Sequence, residues 1–419
     1  MPKFLVKIIL LGKRTGPVFV GLLLIFLSTT FAQTLPVVPK PTGSYSVGTQ
    51  EFSLIDNSRP ETLTEDANDK RELYIRVWYP AQNVSADAKP LPIFGKQTKA
   101  IAEALAANLR LPKGALSFLA LVSSQSYPNA PLAAAAKDKF PLIIFSHGYY
   151  QGFAAQNAVQ MEELASHGYV VFGIGHTYET ILNVFPDGRV VPAGKPLLFQ
   201  ADSKAGELTK NYRESKTAAE KAAYARQIVL LSPANDRLRV WTADVGFVLD
   251  EIERMNAGKA KSIFTNKLDL KRIGVMGMSF GGATAGQVCL KDKRCRAGIN
   301  MDGLQHGDVY ASGLKRPFMF MNNETQDAGI NRDIYQAAGS DTYFLVVKGA
   351  KHLNFSNFNL FSTLDRENQI LGKIPGDRME KIMSSYTLAF FDKYLKNIDA
   401  PMLERSPSDF AEVVFSAKR

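Results

Sequence analysis

Cysteine is almost missing from this chain: of 419 residues only Cys289 and Cys295 carry a thiol. The apolar run near the N-terminus is therefore not followed by a cysteine, which excludes a bacterial lipoprotein anchor. Histidine is sparse too, with His147, His167, His176, His306 and His352 making up the complete set. No HExxH, no CxxC and no GxGxxG in a dinucleotide-binding context occurs, so no metal and no organic cofactor is implied. Lysine and arginine never condense into a block, and no nucleic-acid-binding signature accompanies them, which argues against DNA or RNA as a partner. No internal repeat is present, and nothing implies an obligate protein partner.

What the chain does have begins with an address. Lys3, Lys7, Lys13 and Arg14 precede the apolar "GPVFVGLLLIFLSTTFA", and Thr30 and Ala32 occupy the −3 and −1 positions of a cleavage site before Gln33. Residues 1–32 read as a signal peptide cleaved after Ala32, placing the protein outside the cell or in a periplasm. The alternative is an uncleaved membrane anchor, since the run from Gly16 to Ala32 is only slightly short of a spanning helix. Cleavage removes four positive charges and no negative ones, taking the formal net charge from +10 to +6. That balance favours at most a weak, transient contact with anionic lipid surfaces. In an oxidising compartment Cys289 and Cys295 could close a short disulfide; two free thiols are the alternative. Three Asn-x-Ser/Thr sequons, at Asn83, Asn323 and Asn354, matter only where the host glycosylates.

Residues 33–69, rich in Pro and Gly at their start, read as an extended N-terminal arm. From residue 70 the pattern becomes regular. "RELYIRVWYPA" alternates like a strand, and residues 96–122 carry Ala and Leu at helical spacing. "FPLIIFSHG" and "YVVFGIGHT" are short continuous apolar runs, the mark of buried parallel strands, with an amphipathic "NAVQMEELASHG" between them. Residues 178–231 interrupt this alternation with a long, charged, helix-prone stretch that could cap a site or lie on the surface. The amphipathic "DRLRVWTADVGFVLDEIERMN" then resumes the order, and a C-terminal helix closes it before a tail at 398–419. Strand–helix alternation with buried apolar strands predicts an α/β domain over residues 70–397: a mostly parallel central sheet covered by helices on both faces. Sites in such sheets lie at the carboxyl ends of the strands.

Ser279 stands at one of those ends, in "RIGVMGMSFGGATAGQ", where an apolar strand pattern runs into a helical one. Gly-x-Ser-x-Gly is the nucleophile-elbow spacing, in which glycines relieve crowding around a strained serine. A serine hydroxyl needs a base to take its proton and an acid to orient the base. In this order of elements the base follows the serine, leaving His306 and His352; His352, just after the last strong strand, is favoured. For the acid, strand ends offer Asp302, Glu324 and Asp327, with Asp308 a further option, and pattern alone barely separates them. The backbone N–H of Phe280, and that of Tyr149 after "SHG", are the candidates for an oxyanion hole. The side chain of His147 then reads as structural.

The blocks "FPLIIFSHGYY", "GVMGMSFGGATAGQ", "AGINMDGLQHGDVYASGLKRPFMFMNNE" and "KGAKHLNFSNF" occur in this order over roughly residues 70–395. In them the chain resembles the plasma-type platelet-activating-factor acetylhydrolases and their dienelactone-hydrolase-like relatives. The resemblance implies an α/β-hydrolase fold with an inserted cap-like segment and a metal-independent serine esterase that removes short or oxidised sn-2 acyl chains from phospholipids. It also implies Ser279 as nucleophile, His352 as base and Asp302 as acid, with the oxyanion amides on Phe280 and Tyr149. The family usually has His before the nucleophile where this chain has Met278, which implies altered packing rather than lost catalysis. Competing expectations are a general short-chain carboxylesterase or polyester hydrolase and, from another class, a non-catalytic binding protein on the same fold.

Overall fold

The path of the chain is set by strands that are apolar on both faces. A computed structural model describes residues 35–418 apart from 136–138, 198–202, 327–328, 340, 365–369 and 405–408. The expected signal peptide therefore lies outside the described residues, as does Asp327. In chain order the elements are β1 (Ser46–Pro60), β2 (Lys70–Ala81), α1 (Thr98–Asn108), β3 (Ser126–Pro128), β4 (Phe140–Ser146), α2 (Ala158–Ser166) and β5 (Val170–Gly175). There follow β6 (Leu182–Val184), β7 (Val190–Pro192), α3 (Ser203–Glu214), α4 (Ala218–Leu231), α5 (Ala234–Asn256), β8 (Leu268–Met278), α6 (Phe280–Lys291) and β9 (Cys295–Met301). The chain ends through α7 (Val309–Ser312), β10 (Phe318–Asn323), α8 (Ile330–Ala337), β11 (Thr342–Val347), α9 (Gly376–Lys396) and β12 (Val413–Lys418).

Among the described residues one ten-stranded sheet runs in the order β12-β11-β10-β9-β8-β4-β5-β2-β1-β3. The run from β5 to β11 is parallel throughout, as the apolar strand sequences predict. Side chains alternate across it: Ile143 and Phe145 join Met276, Ile299 and Tyr386 on one face, while Leu142 and Ile144 join Val275, Val248 and Ile252 on the other. The first face is covered by α1, α2 and α9, the second by α5 and α6, which is the expected doubly covered sheet. Strand order reverses at β4, which lies between β5 and β8. The crevice beyond the carboxyl ends of β4 and β8 is the switch point where α/β sheets hold their ligands.

Three expectations need correction. Within the expected arm at 33–69, residues 46–60 belong to the sheet, because β1 pairs antiparallel with β2 from Ser46↔Ala81 to Asp56↔Arg71. Its polar sequence concealed it: several of its side chains are only half-buried, so the strand needs no continuous apolar run. Within the expected tail at 398–419, residues 413–418 belong to the sheet, because β12 pairs with β11 from Thr342↔Lys418 to Val347↔Val413. Every residue of β11 is buried, so its outer edge needs a cover. The helix expected over 96–122 stops at Asn108; Pro112 and Gly114 follow, and the chain resumes only as a 3₁₀ turn at Ser117–Leu121.

Residues 178–231 form the β6–β7 hairpin and the α3–α4 pair. Tyr212, Ala225 and Val229 of that pair pack with Phe318, Phe320 and Phe344 on the face of β10 and β11. A capping box between Thr217 and Glu220 starts α4. The pair is thus seated on the sheet, and among the described residues no side chain of 178–231 lines the cavity beside Ser279. Residues 178–231 meet the cavity wall through hydrogen bonds, among them the Leu197 amide donating to the Tyr149 hydroxyl at 3.2 Å and the Ile181 amide donating to the Gly152 carbonyl at 2.9 Å.

Deleting residues 413–418 should expose the β11 edge and lose the burial of Val413. We expect stability to fall by roughly 2 kcal/mol or more in urea unfolding, with new self-association in sedimentation. Unchanged stability and a monomer would show that β12 is dispensable.

Candidate active site

At the end of β8 the chain turns within one residue. Ser279 has φ 57° and ψ −120°, a conformation costly for a residue with a side chain, and α6 starts at Phe280. The turn is tight because two backbones meet there. A Cβ on Gly281 would lie 2.0 Å from the Ser146 carbonyl oxygen, and one on Gly277 would lie 2.2 Å from the Gly281 carbonyl carbon. Only glycine fits either place, which is the physical content of the Gly-x-Ser-x-Gly spacing. The Gly281 amide donates to the His147 carbonyl at 3.1 Å, tying the elbow to the end of β4.

The structure brings Ser279, His352 and Asp302 into one line. His352 Nε2 is 3.0 Å from Ser279 Oγ, and its Nδ1 is 2.7 Å from Asp302 Oδ2. The Asp302 carboxylate is fully buried, while the His352 side chain is 48% exposed, so the line runs from the interior to an open cleft. Asp302 Oδ1 accepts the Asn323 backbone N–H at 2.8 Å, and Oδ2 accepts Asn323 Nδ2 at 2.6 Å. These donors orient the carboxylate, and with the acceptor role of Asp302 they put the proton of the neutral ring on His352 Nδ1. Asn323 was legible in the sequence only as a sequon. The competing acids go elsewhere: Glu324 accepts the Gly349 amide at 3.0 Å, and Asp308 pairs with Lys291 at 2.6 Å. His306 makes no contact with Asp302; it lines the cavity beside Phe280, and burial lowers its pKa to about 4.

The turn after β4 lies against the elbow. A Cβ on Gly148 would meet Met278 Sδ at 3.2 Å and Ser279 Cβ at 3.4 Å. Gln156 holds this turn by accepting the Gly148 amide at 2.8 Å, and its Nε2 lies 3.5 Å from Met278 Sδ. Met278 therefore fills a packing role between the two loops. Tyr149 and Phe280 meet edge to face at 5.6 Å, and Phe280 opens α6, where the first backbone N–H groups have no partner within the helix. His147 is buried; its Nε2 accepts the His176 amide at 3.1 Å, so Nδ1 carries the proton to the Gly148 carbonyl at 2.7 Å. Burial, aided by nearby His176, holds its pKa well below the ordinary value.

Behind this turn lies a charge network that no sequence motif announces. Trp241 stacks on His176 at 3.7 Å and donates Nε1–H to Glu179 at 2.8 Å. Glu179 is bridged by Arg237 at 2.6 and 2.7 Å, and its carbonyl accepts the Tyr150 amide at 2.8 Å. His176 donates to Asp244 at 2.8 Å, and Asp244 takes a forked pair from Arg71 at 3.1 and 2.7 Å. Arg71 also reaches Glu61 and the Thr177 carbonyl, both at 2.9 Å. Asp244 feels burial most strongly, which opposes its charge, but Arg71 and His176 overcome it and hold the carboxyl well below the usual range.

A cavity of about 490 Å³ opens over Ser279, walled by Leu105, Leu109, Leu304, Leu353 and Phe358. Among the described residues no group of three or more His, Cys, Asp or Glu could hold a metal ion, and no helix is long and apolar enough to cross a membrane. Cys289 and Cys295 are disulfide-bonded, joining the end of α6 to the start of β9. Of the three sequons only Asn83 is exposed; Asn323 and Asn354 are buried and hydrogen-bonded.

Replacing Asp244 with Asn should cost about 3 kcal/mol, because the buried Arg71 loses the charge of its forked partner and is left with Glu61 as its close carboxylate. A carboxyl whose pKa is depressed on folding contributes above its unfolded pKa and loses that contribution as pH falls through the folded value. The gap between wild type and Asp244→Asn in urea unfolding should therefore be flat from pH 8 to 5 and shrink only below about pH 4. A gap that closed near neutrality would reject this assignment.

Comparison with known proteins gives a consistent result. Residues 30–402 match the family described as "Platelet-activating factor acetylhydrolase, isoform II". The chain is 27% identical over 387 residues to the platelet-activating factor acetylhydrolase of Cavia porcellus, covering 89% of this chain and 81% of that one. A protein of Arthroderma benhamiae named "Probable 1-alkyl-2-acetylglycerophosphocholine esterase" is 23% identical over 301 residues, 66% of each chain. Among solved structures, a ferulic acid esterase from Streptomyces cinnamoneus superposes with a TM-score of 0.68 at 24% identity, over 90% of this chain and 98% of that one, and shares the fold. The chain belongs to the platelet-activating factor acetylhydrolase isoform II family and is a serine ester hydrolase of the α/β-hydrolase fold.

Proposed function

We propose that the protein is an exported esterase that cleaves short or oxidised sn-2 acyl chains from phospholipids by a Ser-His-Asp acyl-enzyme mechanism. The observation that carries this reading is the hydrogen-bonded line from Asp302 through His352 to Ser279 at the edge of an apolar cavity. Ser279 Oγ attacks the ester carbonyl while His352 Nε2 takes its proton. Asp302 keeps the imidazole in the Nδ1–H tautomer and stabilises the imidazolium. The amides of Tyr149 and Phe280 bind the oxyanion, with the N-terminal end of α6 adding its dipole. His352 then protonates the departing lysophospholipid oxygen, and water enters by the same route in reverse to release the acid. The substrate class draws on the relatives' names and on the leucine and phenylalanine walls beside Ser279. Export draws on the signal-like residues 1–32 and on the Cys289–Cys295 disulfide, a bond that persists in oxidising compartments.

The chain from Gln33, with Ser279→Ala as control, would be assayed on phosphatidylcholines bearing an acetyl or a palmitoyl sn-2 chain and on p-nitrophenyl esters. We expect release of the acetyl group alone, falling roughly 10⁴-fold or more in Ser279→Ala. Cleavage of p-nitrophenyl esters with both phospholipids intact would replace the lipid substrate by a general short-chain ester. Turnover that survived Ser279→Ala would end the mechanism.

A further inference from the structure

The chain that carries His352 does not stay at the surface. Directly after it, Asn354, Phe355, Ser356, Asn357 and Asn359 are all buried, and a buried amide side chain must find partners. Asn354 Oδ1 accepts the Lys351 amide at 2.8 Å and the Gly372 amide at 2.7 Å, and its Nδ2 donates to Asn359 Oδ1 at 2.8 Å. Asn359 Nδ2 in turn donates to the carbonyls of Asn354 at 2.7 Å and Ser356 at 3.0 Å. Asn357 ties the same loop to α2: its Oδ1 accepts the Val159 amide at 2.9 Å, and its amide donates to the Gln156 carbonyl at 3.1 Å.

These amides converge on one carboxylate. Glu380, on α9 and 1% exposed, accepts from Gln160 Nε2 at 2.6 Å, from Asn357 Nδ2 at 3.1 and 3.2 Å, and from Asn359 Nδ2 at 3.2 Å. Among the described residues its partners are amides rather than a guanidinium or ammonium group, so no opposite charge there offsets the cost of burying it. Burial pushes its pKa up to about 7, against the pull of the Gln160, Asn359 and Asn357 donors. A residue needed only for packing would be apolar, since an apolar group of that volume carries no desolvation penalty. What a carboxylate adds is several acceptor positions on one small group, enough to hold α2 and two side chains of the His352 loop at once.

We propose that Glu380 is a positioning residue for the esterase reaction: through Asn357 and Asn359 it fixes the loop that aims His352 at Ser279. The inference rests on the reading of His352 as the base. The same network reaches the other side of the cleft, since Gln156, bound to Asn357 by its carbonyl, holds the Gly148 amide by its side chain. Glu380 thus sets the spacing between the base and the turn that precedes Tyr149 without touching substrate.

Glu380→Gln keeps the volume but turns an N–H₂ toward the amide donors. With p-nitrophenyl acetate it should lower kcat about 10- to 100-fold, the size expected from a misplacement near 1 Å, while KM stays within about twofold and the thermal midpoint shows a folded protein. Asn359→Ala, which removes one donor to Glu380 together with the Asn359 contacts to Asn354 and Ser356, should lower kcat in the same direction and keeps the test open if Glu380→Gln fails to fold. Wild-type kcat in either folded variant, or a kcat loss no larger than the loss of folded protein, overturns the proposal. His352→Ala is the control that separates the two readings. If it is inactive while the Glu380 and Asn359 variants are normal, only the positioning role fails; if it is fully active, the base assignment falls as well.

Discussion

Everything at the cleft depends on how closely two backbones approach. The elbow after β8 rests on the last residues of β4, with no room for a Cβ between Gly281 and the Ser146 carbonyl. That contact fixes Ser279 in its positive-φ conformation and puts the first turn of α6 beside the turn that holds Gly148 and Tyr149. Asp302 joins the same arrangement through the sheet. β9 is the neighbour of β8, the Ser279 amide donates to the Met301 carbonyl at 2.8 Å, and the Asp302 amide donates to Met321 on β10 at 2.7 Å. Three adjacent strand ends therefore set the relative positions of Ser279 and Asp302, and loop conformation decides only where His352 arrives.

The two loops that complete the cleft are held from behind by polar groups. On one side, Arg71, Asp244, Glu179 and Arg237 hold the aromatic stack of Trp241 and His176 under the Tyr149 turn. On the other, the amides around Glu380 hold the His352 loop. Buried ions and amides contribute little net stability, yet removing one partner is costly, so such networks specify a geometry more than they strengthen a fold. The apolar faces of the sheet supply the stability, and the polar groups supply the aim.

This division explains what could be read from the sequence. Buried parallel strands advertise themselves as continuous apolar runs, so "FPLIIFSHG" and "YVVFGIGHT" located β4 and β5. Ser279, His352 and Asp302 stand at strand ends, where turn chemistry and order along the chain narrow the choice, and family resemblance chose among the acids. β1 and β12 escaped notice because strands away from the centre of a sheet need no such runs. The networks escaped because their members lie far apart in sequence: Arg71 meets Asp244 across 173 positions, and Gln160 meets Glu380 across 220. No local pattern marks such pairs. Asn323 and Asn354 even carried a misleading one, the glycosylation signal.

Those two asparagines bear on how the protein can be made. Each amide nitrogen that an oligosaccharyltransferase would modify is spent, on Asp302 in one case and on Asn359 in the other. A sugar attached to the nascent chain at either position would have to be accommodated where the fold leaves no space. In a eukaryotic secretory host, maturation of this chain would become a race between modification and folding, and the yield of competent enzyme would report which finished first.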